Sequence, residues 1–248
     1  MNSTSVDIRP LIESIYGPSS IKNVGNTVAF MPSNTSETLQ AVDLALKHGF
    51  GICPSGTGSH INSGSMRNDI LVVATDNLCG VIEYAPDDLF IIVEAGMKLS
   101  DVARYISDSH LCLPFSTCGY SGSVGGAVAM GIEIDIKGDR QNIRQVVTAI
   151  EFVTPYGKLI NSGALTIKSV AGYDIARFLV GSKGCFGIIT SVALRLKPNP
   201  KISDAKPKLV STTQRISPRW DRPAAGEEST PVEYLKQNLD PNEIFPMP

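Results

Sequence analysis

The chain has 248 residues, with 22 Lys and Arg against 24 Asp and Glu and a formal net charge of −2. That balance, without any cluster of basic residues, excludes the electrostatic footprint of a nucleic-acid-binding protein, and no apolar run nears the roughly 20 residues that a membrane helix needs. Met1 to Arg9 lack the basic-then-apolar order of a signal peptide, so the expectation is a cytoplasmic location, or the membrane periphery reached through partners.

Taken in chain order, Asn34 and Glu37 have N-cap and N3 spacing, and Leu39, Val42, Ala45 and Leu46 recur at helical intervals up to a closing Gly49. Gly51 to Cys53 reads as a short strand, and the β-branched run Ile70 to Ala74 as a buried one. Residues 1–80 are thus expected to form an α/β lobe. A second, α+β lobe is expected over 81–198. In it Leu89 to Glu94 reads as a strand, and Ser100 caps a helix running to Ser109 with Val102, Ala103 and Ile106 inward. Val146 to Val153 is strand-like before a turn at Pro155-Tyr156-Gly157, and from Ile188 to Lys197 Val192, Leu194 and Leu196 alternate with Arg195 and Lys197. Residues 199–231 are polar and proline-punctuated, as a linker is. Thr230-Pro231-Val232-Glu233 then forms a capping box with proline at N1, opening the last element of a closing segment, 232–248.

The five cysteines, Cys53, Cys79, Cys112, Cys118 and Cys185, are scattered and show no C-x-x-C pair. That disfavours a disulfide framework and a zinc or iron–sulfur site, and leaves them as small buried hydrophobes. His48 at a helix end and His110 in a loop read as solvated surface histidines.

Two glycine-rich loops carry the chemistry. Pro54-Ser-Gly-Thr-Gly-Ser-His60 follows a strand, and its backbone N–H groups and hydroxyls can converge on a pyrophosphate without basic side chains. It lacks G-x-G-x-x-G, so a Rossmann dinucleotide site is not supported, and an ordinary turn is the plain alternative. Ser121-Gly122-Ser123-Val124-Gly125-Gly126, followed by small residues, lets backbone approach a planar ligand closely, or simply turns tightly into a packed helix.

A third segment adds a resemblance. Ile167-Lys-Ser-Val-Ala-Gly-Tyr-Asp174, with Gly181-Ser-Lys-Gly-Cys-Phe-Gly-Ile-Ile189, closely resembles the FAD-binding domain of the vanillyl-alcohol oxidase/p-cresol methylhydroxylase family, and within it the E-subunit branch of glycolate oxidase. Gly80 to Leu89, Glu94-Ala-Gly96, Leu113-Pro-Phe115, and Leu239-Asp-Pro241 with Ile244-Phe245 are similar to the same branch. The resemblance implies an α+β, two-lobed p-cresol methylhydroxylase-type domain with FAD between the lobes. Ser55, Gly56, Thr57, Gly58, Ser59 and His60 would then bind the pyrophosphate. Ser121, Gly122, Ser123, Gly125 and Gly126 would run along pyrophosphate, ribityl and flavin edge, and Gly187, Ile188 and Ile189 would meet the adenosine half. Some relatives attach FAD covalently through a histidine in the first loop. Here Ser59 stands at that place with His60 one residue later, so non-covalent FAD is expected.

Departures from the family pattern bear on catalysis. Residues 199–231 are too few and too polar for the family's cap domain, so the cap is expected to be largely absent. Lys183 replaces the Glu of the G-S-E-G motif, and the tail ends Pro246-Met247-Pro248. Tyr173 and Asp174 are the catalytic candidates the motif offers, with a structural role the simpler account of both, so the catalytic base is unassigned. The resemblance implies an FAD-binding subunit of a glycolate- or lactate-like 2-hydroxy-acid dehydrogenase, with a partner flavoprotein, an iron–sulfur subunit, or both. Two alternatives stand beside it: a non-redox structural or assembly subunit that keeps the fold, and a small stand-alone FAD oxidoreductase.

Overall fold

Ile8 and Ile12, one helical turn apart, are buried by the first helix of the computed structural model, α1 (Ile8–Tyr16). The structure describes residues 8–24, 27–61, 67, 69–114, 119–136, 139–163, 175–199, 208–209 and 231–245. After α1, β1 (Ile21–Val24) and β2 (Thr27–Phe30) form an antiparallel pair in the register Ile21–Phe30. The helix read from Asn34 is α2 (Thr35–His48): the Asn34 side chain accepts from the Glu37 N–H at 2.9 Å, and Gly49 closes the helix in the left-handed conformation at φ 72°. The Glu37 carboxylate accepts from the Ser33 N–H, one residue before the cap, at 2.7 Å.

β3 (Gly51–Ser55) and β4 (Ile70–Ala74) run parallel, and β2 runs parallel to β4 on its other edge, giving the order β1-β2-β4-β3. Every residue of β2 and β4 is buried, as expected where parallel strands are covered on both faces. Val28, Phe30, Ile52, Leu71 and Val73 pack under α1 and α2, while Ala29, Cys53, Ile70, Val72 and Ala74 face the opposite way.

The next elements are β5 (Val81–Ala85), β6 (Phe90–Glu94), α3 (Leu99–Tyr105), β7 (Leu111–Cys112) and α4 (Val124–Met130). β8 (Glu133–Ile136) and β9 (Asp139–Asn142) form a hairpin, followed by β10 (Val147–Val153), β11 (Leu159–Gly163) and α5 (Ile175–Leu179). β12 (Ile188–Arg195) completes a five-stranded antiparallel sheet in the order β11-β10-β12-β6-β5. β13 (Lys197–Pro198) pairs with β7. A partly parallel sheet beside an antiparallel one, with helices on both, is the α+β class expected from the sequence.

Three local expectations meet a different outcome. Ser100 does not cap α3: the helix starts at Leu99 after an uncapped Lys98 and ends at Tyr105. Leu99 is fully buried and its N–H donates to the Gly122 carbonyl at 3.2 Å, so a tertiary contact secures the first turn. The alternation along β12 does put Val192, Leu194 and Leu196 in one core, but Ile189 joins them. The ladder shifts register between Glu151 and Phe152, and this bulge at Thr190 exchanges the faces. Cysteine burial is uneven: Cys53 and Cys185 are buried, Cys112 is half-buried and Cys79 is exposed, while Cys118 lies outside the described residues.

In the stretch read as a linker, Lys208 and Leu209 form β14 beside β8. Helix α6 (Pro231–Leu239) follows; Thr230, its expected cap, lies outside the described residues. Past α6, Asp240 is buried, and its carboxylate accepts from the N–H groups of Ile244 and Phe245, both at 2.9 Å. The buried Lys236 ammonium pairs with the same carboxylate and donates to the Cys185 carbonyl at 2.8 Å. Ile244 and Phe245 then enter the core beneath α1 and α2, together with Val153 and Ile188 from the antiparallel sheet. The closing segment therefore clasps the two sheets around one shared cluster.

Candidate functional site

β3 delivers Ser55 to the edge of a cleft, and the chain then turns through Gly56 to Ser59. Opposite, Ser123 begins α4, its hydroxyl accepting from the Gly126 N–H at 3.2 Å. The tight turn into a packed helix and the glycine loop are therefore the same feature. The two loops touch: a Cβ at Gly56 would lie 1.9 Å from the Ser123 Oγ, so no side chain fits between them. A third wall comes from the turn before β12, where Gly187 at φ 142° passes so close to β10 that a Cβ would meet the Val153 carbonyl at 2.3 Å.

These walls line a cleft of about 90 Å³ that opens to solvent. Ser55, Gly56, Thr57, Gly58, Ser59 and His60 all line it. Of the second loop, Ser123, Gly125 and Gly126 do so, with Gly187, Ile188 and Ile189 across from them. Ser121 and Gly122 are not on the lining: Ser121 is exposed, and Gly122 lies against the Tyr120 ring with its carbonyl engaged by Leu99. Tyr120 takes their place in the wall. Ala171, Gly172, Tyr173 and Asp174 lie outside the described residues.

The lining carries both polar and apolar groups. Thr57 and Ser59 share a hydroxyl contact of 2.8 Å, the Ser55 hydroxyl donates to the Gly56 carbonyl, and the Thr75 hydroxyl donates to the Ser55 carbonyl. The N–H groups of Thr57, Gly58 and Ser59 find no acceptor among the described residues. Buried without a partner are also the Tyr120 hydroxyl and both ring nitrogens of His60, the two rings stacking at 5.7 Å between centroids. Burial holds His60 below the ordinary histidine range, favouring neutral imidazole, and pushes the Tyr120 phenol up. It also raises the Cys53 thiol to about 12, which leaves no nucleophile there. Among the described lining residues Lys183 carries the only formal charge; it is exposed and held at φ 54° with its N–H on the Ala129 carbonyl at 2.8 Å.

Unused N–H groups of the first loop and the unpartnered Tyr120 hydroxyl, with no carboxylate among the described lining residues, suit an anion such as a pyrophosphate. Pro54, Ile61, Ala129, Met130, Ile188 and Ile189 offer apolar surface for aromatic ring systems. FAD has both parts, and the residues present fit it. Tyr120, Thr75 and Met130 were not found from sequence: none belongs to a periodic or motif pattern, and only adjacency to the second glycine loop could have marked Tyr120.

Residues 27–163 match the family described as FAD binding domain, more than half of the chain. Over 140 residues the chain is 29% identical to glycolate oxidase subunit GlcE of Escherichia coli, a match covering 56% of this chain and 40% of that protein. It is 27% identical to glycolate oxidase subunit GlcD of Bacillus subtilis, covering 68% of this chain and 37% of the relative. To the D-lactate dehydrogenase of Archaeoglobus fulgidus it is 26% identical, covering 78% and 46%. The chain thus spans less than half the length of these curated relatives.

Proposed function

The chain belongs to the FAD-binding domain family, and from that premise we propose that it is the FAD-binding part of a 2-hydroxy-acid dehydrogenase, passing reducing equivalents from a glycolate- or lactate-like substrate through flavin to a partner subunit. The observation that carries the reading is the meeting of two glycine loops over one cleft whose donors have no acceptor among the described residues. Two of the relatives are named as subunits, which supports a partner, either a second flavoprotein or an iron–sulfur protein. No described helix is long and apolar enough to cross a membrane.

The flavin, when bound, supplies acceptance of a hydride and onward transfer of its electrons. The chain's own residues bind and orient. Backbone N–H groups of Thr57, Gly58 and Ser59 hold the pyrophosphate, and the Gly56 contact with Ser123 keeps the loops together at that point. Ser123, Gly125 and Gly126 follow the ribityl chain and flavin edge, while Gly187, Ile188 and Ile189 cover the adenosine half. Lys183 sits at the mouth, where its ammonium offsets the charge of the phosphates. Neutral His60 adds hydrogen-bonding capacity without a charge. None of the described lining residues is a carboxylate able to take the hydroxyl proton of the substrate, and the base is unassigned.

The absorbance spectrum of the purified chain, before and after acid precipitation, tests this. Flavin bands that pass into the supernatant are expected, followed by bleaching with glycolate or D-lactate once the co-purifying subunit is present. Colour retained in the pellet would replace the non-covalent arrangement by attachment at His60. A colourless chain that takes up no added FAD would sink the proposal.

A further inference from the structure

We propose that Tyr120 is a cofactor-binding residue whose hydroxyl donates to the pyrophosphate of the bound dinucleotide while its ring holds the His60 imidazole against the same group. This rests on the FAD reading above and adds a residue that lies outside both glycine motifs.

The argument begins with burial. Tyr120 is 6% exposed, its ring packs into the core of the antiparallel sheet, and its hydroxyl has no partner. A phenol in an apolar setting normally finds an acceptor, because leaving it unpaired forfeits the hydrogen bond it made to water. The two nitrogens of His60 are in the same condition, and the two rings stack with 20° between their planes. Three orphaned polar atoms at one wall of one cleft are more than a packing accident would leave.

Position then selects the ligand atoms. The hydroxyl lies 3.2 Å from where a Cβ at Gly126 would stand, as does the Ser123 Oγ, so it sits at the first turn of α4 where the glycine loops converge. One face of the Tyr120 ring stacks on His60, and the ring belongs to the core cluster of the antiparallel sheet. The hydroxyl is the polar atom of Tyr120 left without a partner at the cleft wall, and a neutral O–H donor is matched to an anionic oxygen. Tyr120 precedes the second loop and His60 ends the first, so the stacked pair ties the loops together around the group they bind.

Tyr120→Phe keeps the ring and removes the hydroxyl alone. The full chain, freed of flavin by dialysis against bromide, is titrated with FAD, ADP and riboflavin, with thermal unfolding followed alongside. The expected result is a loss of about tenfold or more in affinity for FAD and ADP alike, the scale of one hydrogen bond to a charged group, with riboflavin, which lacks the pyrophosphate, unchanged. His60→Asn, which removes the imidazole, is expected to show the same selectivity, and it decides the matter if the phenylalanine variant does not fold. Equal binding of ADP by wild type and both variants overturns the proposal alone, as does an equal loss for riboflavin. A wild-type chain that binds neither FAD nor ADP overturns the cofactor reading with it.

Discussion

Two buried polar clusters in this protein have opposite bookkeeping. At the closing segment Lys236, Asp240, the Cys185 carbonyl and the N–H groups of Ile244 and Phe245 satisfy one another. At the cleft the Tyr120 hydroxyl and the His60 nitrogens satisfy nothing among the described residues. The contrast separates two uses of buried polarity. A closed network anchors a chain end onto the core; an open one keeps donors in place for a group that is not protein. The two are joined, since Lys236 holds Cys185, two residues after Lys183 and two before Gly187 on the cleft wall.

The sharpest way to break the comparison is Asp240→Ala. It strands a buried ammonium and releases two N–H groups, so a loss of about 3–5 kcal/mol is expected in urea unfolding. A loss under about 1 kcal/mol would mean that the clasp is not closed. Lys183→Glu acts on the other cluster: FAD affinity should fall about fivefold at low salt and approach wild type in concentrated salt, as for an exposed charge. Its unfolding midpoint should barely move. Calorimetric titration at two ionic strengths reads this, and a salt-independent loss would refute a charge effect.

The smallest effect is one of pH. His60 is held below its ordinary value of 6.5 by burial, so the unfolded chain takes the proton before the folded one does. This contribution to stability is therefore present above 6.5 and lost as pH falls from there toward the lower folded-state value. In His60→Asn the decline of the unfolding midpoint below pH 6.5 should be shallower than in wild type. Parallel curves would show that His60 does not titrate differently in the two states.

Much of the secondary structure was readable from short-range chemistry. The Asn34–Glu37 cap and Gly49 define α2 because a helix end needs only partners within four residues. The runs of β3, β4 and β12 follow from apolar content alone. The two glycine loops could be picked out because small residues tolerate close backbone approach wherever it occurs, though the partners of that approach could not be named. Ser121 and Gly122 illustrate the limit: they share the composition of the loop, yet Ser121 is exposed and Gly122 packs against Tyr120, and neither is on the lining.

What the sequence by itself determined is the family and the α+β class, since motif order and local capping are written in neighbouring residues. Only the tertiary structure decided that Leu99 rather than Ser100 begins α3, that a bulge at Thr190 turns Ile189 inward, and that Asp240 closes a buried clasp. It alone brought His60 and Tyr120 face to face with their polar atoms unused. The physical reason is the same in each case: the partner, or its absence, is set by groups distant in the chain, and burial is a property of the packed whole.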